Sequence, residues 1–364
     1  LRMVDHGLSY SKIGSAMSAV AIGLMVIKLL IGHLSDMLGT KNFILTALAG
    51  LGIVCVLLAK ADRLLAFTVL MAALGIFRGI FLAVSGSYVM EMANSGEYGK
   101  IYGAVQGISS LLASVGGMIS GLLYLFKDGE YALYICSFLL IASTLWAAIG
   151  LKNNQCMHGE RLPILQIFKS INKRILIFCV LVFIQSFVAG PMWSFIIPMY
   201  CYNVLLFSPA KLGILMSMDE LIGAPTYMLA GRVVDKVNVV KFNILFLLIT
   251  ALGGLFLIKS PTPTIFMVVF LICSVSISCT FVGIPKERIG FIRKEQKGFE
   301  LALISVCGSL GDSLGNNVLG RVAEKYTIDQ CMYIFSASYI VMALLVALPL
   351  LFPNFRFASG KQEK

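Results

Sequence analysis

The strongest constraint on the fold of this chain is a succession of long apolar stretches. Runs of about 20 apolar residues recur along the whole 364-residue sequence, and a helix of that length crosses a hydrocarbon layer of roughly 30 Å. The runs predict eleven membrane-spanning helices, at 10–33, 41–60, 64–90, 100–126, 131–151, 175–203, 209–231, 240–259, 263–285, 298–321 and 329–352. We therefore predict an all-α membrane protein embedded in a lipid bilayer.

Composition excludes several other classes of protein. Hydrophobic residues make up 59% of the chain and charged residues only 13%, about half the charged fraction of a soluble domain. The net charge of +11 comes from basic residues spread over short loops, so we expect no nucleic-acid partner. Nine cysteines and three histidines show no metal-ligand spacing, and no nucleophile or cofactor motif points to an enzyme.

A polar stretch near the middle predicts the division of the chain. Residues 152–174 form the longest polar segment. They are predicted to be a central loop between an N-terminal bundle of five helices, 1–151, and a C-terminal bundle of six, 175–364, with a short tail. From Leu162 onward the loop mixes apolar and basic residues, which fits either a helix lying on the membrane surface or a solvated linker.

The distribution of Lys and Arg predicts the orientation in the membrane. The loops on the side of 152–174, together with the C-terminal tail, hold 18 of these residues, and the opposite side holds 9. Because positively charged loops remain in the cytoplasm, the central loop and the C-terminus are predicted to be cytoplasmic. We expect the plasma membrane, with the first residues of the chain outside the cell.

Two loops on the predicted cytoplasmic side resemble each other. They read "GHLSDMLGTK" and "GRVVDKVNVVK", and share a Gly, an Asp four residues later, a turn-former three residues after that, and a Lys. We interpret the Gly as a point of close helix approach, the Asp as a cap of the next helix, the turn-former as a left-handed residue and the Lys as a cytoplasmic anchor. The shared residues are Gly32, Asp36, Gly39 and Lys41 in the first loop and Gly231, Asp235, Asn238 and Lys241 in the second.

The repeat predicts two duplicated halves, and its residues resemble a known family. "GHLSDMLGTK" is similar to the loop signature of the major facilitator superfamily, "GRVVDKVNVVK" to its echo in the second half, and "LGIFRGIFLA" to its fourth-helix motif. The resemblance implies two six-helix bundles related by a pseudo-two-fold axis, and transport of a small molecule by alternating access. It also implies a proton-coupling or gating role for Arg78; a structural role, in which Arg78 pairs with backbone carbonyls and a carboxylate, is equally consistent with the sequence.

The same resemblance bears on the number of helices. Two sets of six would place both termini in the cytoplasm, whereas the visible chain is predicted to begin outside. We therefore expect the first helix to be missing from this sequence. A genuine eleven-helix protein is the alternative.

Ionisable residues inside membrane helices are the candidate site residues, because they are costly there and usually face a cavity or a partner. Glu220 shares one helix face with Gly213, Ser217, Ala224 and Tyr227, about midway across the membrane. Its neighbour Asp219 lies about 100° round the helix, where the sequence fits either a lipid-facing or a helix-packed position. The other candidates are Asp312 and Asn316 on a second polar stripe, Arg78, and Gln106, Gln185 and Trp193 as cavity-lining residues. For the stripe and for the last three residues, ordinary helix packing is the competing interpretation.

These residues favour a secondary transporter. An acid in a low-dielectric site can take up and release a proton as access alternates, so we expect proton-coupled efflux of a small organic solute by a monomer. An ion gradient, rather than a cofactor, would supply the energy. The alternatives are proton-coupled import or facilitated uptake of a nutrient and, more distantly, a non-transporting membrane sensor or scaffold.

Overall fold

The computed structural model describes residues 2–38, 40–92, 98–126, 129–151, 173–234, 236–258, 260, 262–289 and 297–351. The helices of the first half are α1 (Arg2–Asp5), α2 (Tyr10–Leu38), α3 (Thr40–Ala59), α4 (Leu64–Met92), α5 (Tyr98–Phe126) and α6 (Glu130–Gly150). Those of the second half are α7 (Lys173–Pro191), a π-helical turn (Met192–Ile196), α8 (Ile197–Asn203), α9 (Pro209–Val234), α10 (Val239–Ile258), α11 (Pro263–Ile289), α12 (Lys297–Lys325) and α13 (Ile328–Leu351).

The all-α architecture predicted from the apolar runs is confirmed. Each of the eleven predicted spans overlaps a helix, and eight described stretches are long and apolar enough to cross a membrane. The helices α9 and α12 are less apolar because they carry the acids and amides of the two polar stripes. The boundaries at 151 and 174 stay predictions, and residues 152–172 of the central loop lie outside the described residues.

The predicted span 175–203 is interrupted in the structure. Its first part, α7, ends at Pro191, and the chain then widens into the π-helical turn before it continues as α8. A proline inside a helix has no N–H to donate to the preceding turn, and a single π-helical turn absorbs the resulting misfit. Trp193 lies within this π-helical turn.

Large apolar side chains cover the outer surface of the helices. On α6, Trp146 is 81% exposed and Ile149 is 88% exposed. A soluble protein would bury such side chains, and a contiguous exposed apolar surface marks a contact with lipid or with another protein. Together with the long apolar helices, this surface places the protein in the bilayer as a multi-pass membrane protein.

Two helix pairs join the halves, α2 with α12 and α5 with α9. In the second pair the backbones meet at glycines: a Cβ on Gly121 would lie 2.8 Å from the Cα of Gly213 and 2.9 Å from the carbonyl oxygen of Pro209. In the first pair, Gly14 packs against the carbonyl oxygen of Asn316. Small residues therefore allow the two halves to approach to backbone contact.

Hydrogen bonds between the halves accompany these close contacts. The Ser11 N–H, in the first turn of α2, donates to the Glu324 carboxylate at 2.8 Å, and Asn203 donates to the Tyr10 hydroxyl at 2.9 Å. Two turns deeper, Ser18 donates to the Ser313 carbonyl oxygen at 2.7 Å. These contacts close the end of the molecule at which α2 begins, which we call the Tyr10 end.

The loop repeat forms helix caps, but not with all of the predicted residues. Lys41 donates to the carbonyl oxygen of Ala148 at 2.7 Å and so anchors the last turn of α6. Asn238 caps α10, because its side-chain oxygen accepts the N–H groups of Val240 and Lys241, each at 3.1 Å. The prediction that this residue serves as a left-handed turn-former is wrong: its side chain is used as an N-cap, and the only described non-glycine residue with positive φ is Leu206.

Gly231 makes no close contact with a described residue, because no described atom lies within 4 Å of the place that a Cβ on it would occupy. Its predicted role as a point of close helix approach stays a prediction. Gly39 and Asp235 lie outside the described residues, and so do the side-chain surroundings of Gly32 and Asp36. The predicted roles of these four residues stay predictions.

The close approach of α5 and α9 makes a testable prediction. Gly121→Val should lower the free energy of unfolding by about 1–3 kcal/mol, because the new side chain collides with backbone atoms of α9. Thermal unfolding of the purified protein in detergent measures the change. Gly116→Val is the matched control on the same helix, since nothing described lies within 4 Å of its Cβ position; equal melting temperatures for the two variants would contradict the packing.

Candidate functional site

A cavity of about 410 Å³ lies between the two halves. Its first-half wall comes from α4, and its second-half walls come from α7, the π-helical turn, α9 and α11. The lining residues are Arg78, Ala189, Gly190, Trp193, Asp219, Glu220, Gly223, Tyr227, Ser274, Ile277, Ser278 and Phe281. Among them are three of the ionisable residues that the sequence singled out as candidates.

Asp219 is held at the cavity wall by two hydrogen-bond donors. The indole N–H of Trp193 donates to one carboxylate oxygen at 2.9 Å, and the Ser274 hydroxyl donates to the other. The indole ring is fixed in turn by Phe270 and Phe335, with ring centroids 5.7 and 6.0 Å away. Of the two positions that the sequence allowed for Asp219, the structure shows the packed one, at the junction of the π-helical turn, α9 and α11.

Glu220 has a different environment from its neighbour. Its side chain is exposed to the cavity and lies in polar contact with Ser110 of α5. The face that it shares with Gly213 and Ser217 runs along the first half: the Gly213 backbone meets Gly121, and Ser217 lies beside Gly117. The polar stripe of α9 is therefore the interface between the halves, and Glu220 lies where that interface opens into the cavity.

Arg78 is the one cation among the described residues that line the cavity. It projects from α4 of the first half, and its side chain is exposed. Within the part of the chain that the structure describes, no carboxylate or carbonyl oxygen pairs with its guanidinium. The structural pairing is therefore not seen among the described residues, and the proton-coupling or gating role stays a prediction.

Asp312 and Asn316 form a second polar group behind the cavity wall. The Asn316 amide donates to the Asp312 carboxylate at 3.0 Å, and Ser194 donates to the Asn316 side-chain oxygen at 3.3 Å. The Asp312 carboxylate packs against Gly190, which itself lines the cavity. A side chain on Gly190 would collide with this carboxylate, so the glycine brings the second acid close to the site.

Neither of the two glutamine candidates is among the described residues that line the cavity. Gln185 is 5% exposed and donates to Thr280 at 3.4 Å inside the second half, so it does not line this cavity. The side chain of Gln106 lies outside the described residues.

The described residues contain no group of three His, Cys, Asp or Glu side chains placed to hold a metal ion.

Several lining residues were missed by the sequence analysis. Ser274, Ser278 and Phe281 recur at i, i+4 and i+7 on α11, and this spacing on one helix face was the available signal. Gly190 precedes Pro191 at the end of α7, where a break in the helix was foreseeable. No pattern in the sequence indicated that α11 lies opposite Asp219.

The two donors to Asp219 make a second prediction. Ser274→Ala should lower the free energy of unfolding by about 1–3 kcal/mol, because a hydrogen bond to a largely buried carboxylate is lost. Chemical unfolding of the purified protein measures the change. Ser276→Ala is the control, since Ser276 is buried on the same helix with no hydrogen bond to a described residue; an equal effect of both changes would refute the stabilising role of Ser274.

Comparison with known proteins identifies the family. The chain is 21% identical over 350 residues to an uncharacterised MFS-type transporter of Methanocaldococcus jannaschii, covering 94% of this chain and 89% of that one. Its fold is similar to that of the human organic anion transporter MFSD10 (TETRAN), with a TM-score of 0.67, 17% identity and coverage of 92% and 83%. It is also similar to a point variant of the nucleoside transporter NupG, with a TM-score of 0.75, 16% identity and coverage of 95% and 92%. The sequence model of the Major Facilitator Superfamily matches residues 2–316, most of the chain, and the protein therefore belongs to this superfamily of membrane transporters.

Proposed function

We propose that the protein is a secondary active transporter that exports a small organic solute from the cell in exchange for protons. The observation that carries the proposal is the cavity between the halves, open to a carboxylate, Glu220, that no described cation neutralises. It acts as a monomer in the plasma membrane, with an ion gradient rather than a cofactor as its source of energy.

The closed Tyr10 end supports alternating access. Hydrogen bonds between α2 and α12 and the glycine contact between α5 and α9 join the halves at this end. The cavity lies deeper and runs along α9 from Asp219 to Tyr227, away from the closed end. With the excess of Lys and Arg at the other end, the closed end faces outward and the cavity faces the cytoplasm. Transport then requires these contacts to separate while the cytoplasmic end closes.

Glu220 is the best placed residue for proton exchange. Asp219 has both carboxylate oxygens occupied by donors, whereas the Glu220 side chain is exposed to the cavity and thus to water. The charged and titratable groups facing the same cavity are Asp219 and Tyr227 on α9 and Arg78 on α4. If a substrate and a proton compete for Glu220, each lowers the affinity of the other, and exchange follows by linkage.

Import or facilitated uptake of a nutrient is the alternative function. It uses the same cavity and the same acid, and differs in whether substrate and proton bind together or in competition. The fold neighbours include a nucleoside transporter and an organic anion transporter, and these two substrate types belong in any panel of compounds to be tested.

A transport assay tests the role of Glu220. In vesicles containing the purified protein, a pH gradient should drive labelled substrate toward the acidic side if the protein is an antiporter and toward the alkaline side if it is a symporter. Glu220→Gln should reduce gradient-driven transport at least tenfold while substrate exchange continues, because the glutamine cannot carry the proton. Asp219→Asn should have a smaller effect, since one side-chain oxygen can still accept a hydrogen bond.

The control is Asp62→Asn, which removes an exposed acid remote from the cavity and should leave transport unchanged. Full gradient-driven transport by Glu220→Gln would refute the proton-exchange role. Flux that is independent of the pH gradient for every compound in the panel would refute proton coupling as a whole.

A further inference from the structure

The cavity carries two opposite charges that come from different halves of the protein. Arg78 extends from α4 of the first half and Glu220 from α9 of the second half, and both side chains are exposed to the same cavity. Within the described ranges neither is ion-paired. Both side chains face the cavity and its water rather than lipid, so each is available to pair with an opposite charge on a ligand.

The third charged group of the cavity is already engaged. Asp219 accepts hydrogen bonds from Trp193 and Ser274, and these donors come from the same half of the protein as the acid itself. Its charge is therefore stabilised without a ligand. Among the described lining residues, one cation and one carboxylate remain to recognise a bound molecule.

The rest of the lining indicates the body of that molecule. Trp193, Tyr227 and Phe281 contribute aromatic surface, and Ile277 adds an aliphatic side chain. The volume of about 410 Å³ is at the small end of the roughly 300–1,000 Å³ typical of small-molecule sites. The cavity therefore fits a compact organic molecule with an apolar or aromatic part.

We propose that the cavity binds a zwitterion of the α-amino-acid type, with the ligand carboxylate on Arg78, the ligand ammonium group on Glu220 and the apolar body against the aromatic wall. This inference rests on the proposed function only in taking the cavity to be the transport site. With both ion pairs formed, the ligand joins the first half to the second half across the cavity. The hydrogen bonds at the Tyr10 end join the same two halves at another place.

The charge pattern disfavours other substrate classes. A simple anion would form an ion pair with Arg78 alone and a simple amine with Glu220 alone, whereas a zwitterion forms both ion pairs. A guanidinium can bind a carboxylate through two parallel hydrogen bonds, which suits the carboxylate end of the zwitterion. The ammonium end would occupy the position at which Glu220 otherwise carries a proton, and binding would release that proton.

Matched sets of ligands test the proposal. Each set keeps one apolar body and changes only the charged groups: phenylalanine, phenethylamine and 3-phenylpropionate; leucine, 3-methylbutylamine and 4-methylpentanoate; tryptophan, tryptamine and 3-indolepropionate. Binding to the purified protein in detergent is measured by calorimetry at one pH, with no gradient. In at least one set the amino acid should bind at least tenfold more tightly than both singly charged analogues.

Two variants distinguish charge recognition from a loss of folding. In Arg78→Gln the amine should bind as tightly as the amino acid or more tightly, and in Glu220→Gln the carboxylic acid should do so. An unfolded protein would bind neither ligand, so retained binding of the amine or of the carboxylic acid distinguishes lost charge recognition from lost folding. Arg63→Gln and Asp62→Asn, which remove exposed charges away from the cavity, should preserve the preference for the amino acid.

Three results would overturn the proposal. The first is that in every set an analogue binds as tightly as its amino acid, and the second is that no member of any set binds. The third is that Arg78→Gln and Glu220→Gln both keep the ligand preferences of the unchanged protein. Its failure is distinguishable from failure of the proposed function. Preferential binding of an amino acid without gradient-driven flux would refute proton coupling alone. Glu220-dependent, gradient-driven flux of a singly charged compound, with no preference for amino acids, would refute zwitterion recognition alone.

Discussion

A lipid bilayer offers no water to hydrogen-bond with a polar backbone, and the rest of this structure depends on that constraint. A chain that crosses the bilayer repeatedly must satisfy its N–H and C=O groups within helices, and its outward side chains must be apolar, as Trp146 and Ile149 are. Polar and charged side chains are then restricted to the interior of the bundle. In this protein Arg78 and Glu220 lie where the two halves meet, and others, such as Gln185, form hydrogen bonds inside one half.

Contact between the halves depends on small residues. Glycines on α5 and α9 bring these helices to backbone contact, and Gly14 does the same for α2 against α12. Close approach at the Tyr10 end positions the hydrogen bonds between Ser11 and Glu324 and between Tyr10 and Asn203. The halves are held together at one end by weak, reversible interactions, which a transporter can exchange for others.

The adjacent acids of α9 show how packing gives different roles to similar residues. Asp219 is fixed by an indole and a hydroxyl, whereas Glu220 is exposed to the cavity that Arg78 shares. The π-helical turn after Pro191 is part of this arrangement, because it carries Trp193. This irregular turn therefore supplies one of the two donors that hold the Asp219 carboxylate.

Periodicity predicted the helices well because it records how polarity varies along one segment. It located the spans, the polar face of α9 and the acids, and the resemblance of three short motifs indicated the superfamily. It did not show that Trp193 contacts Asp219, that Asn238 caps α10 or that Gln185 lies away from the cavity.

The sequence by itself determined the membrane-spanning helices of this protein and the polar residues that they carry, since both follow from local composition and spacing. Only the tertiary structure decided which of those polar residues face a shared cavity and which satisfy one another. That choice depends on contacts between helices far apart in the chain, such as α4 with its Arg78 and α9 with its Glu220, and no pattern within a single helix contains it.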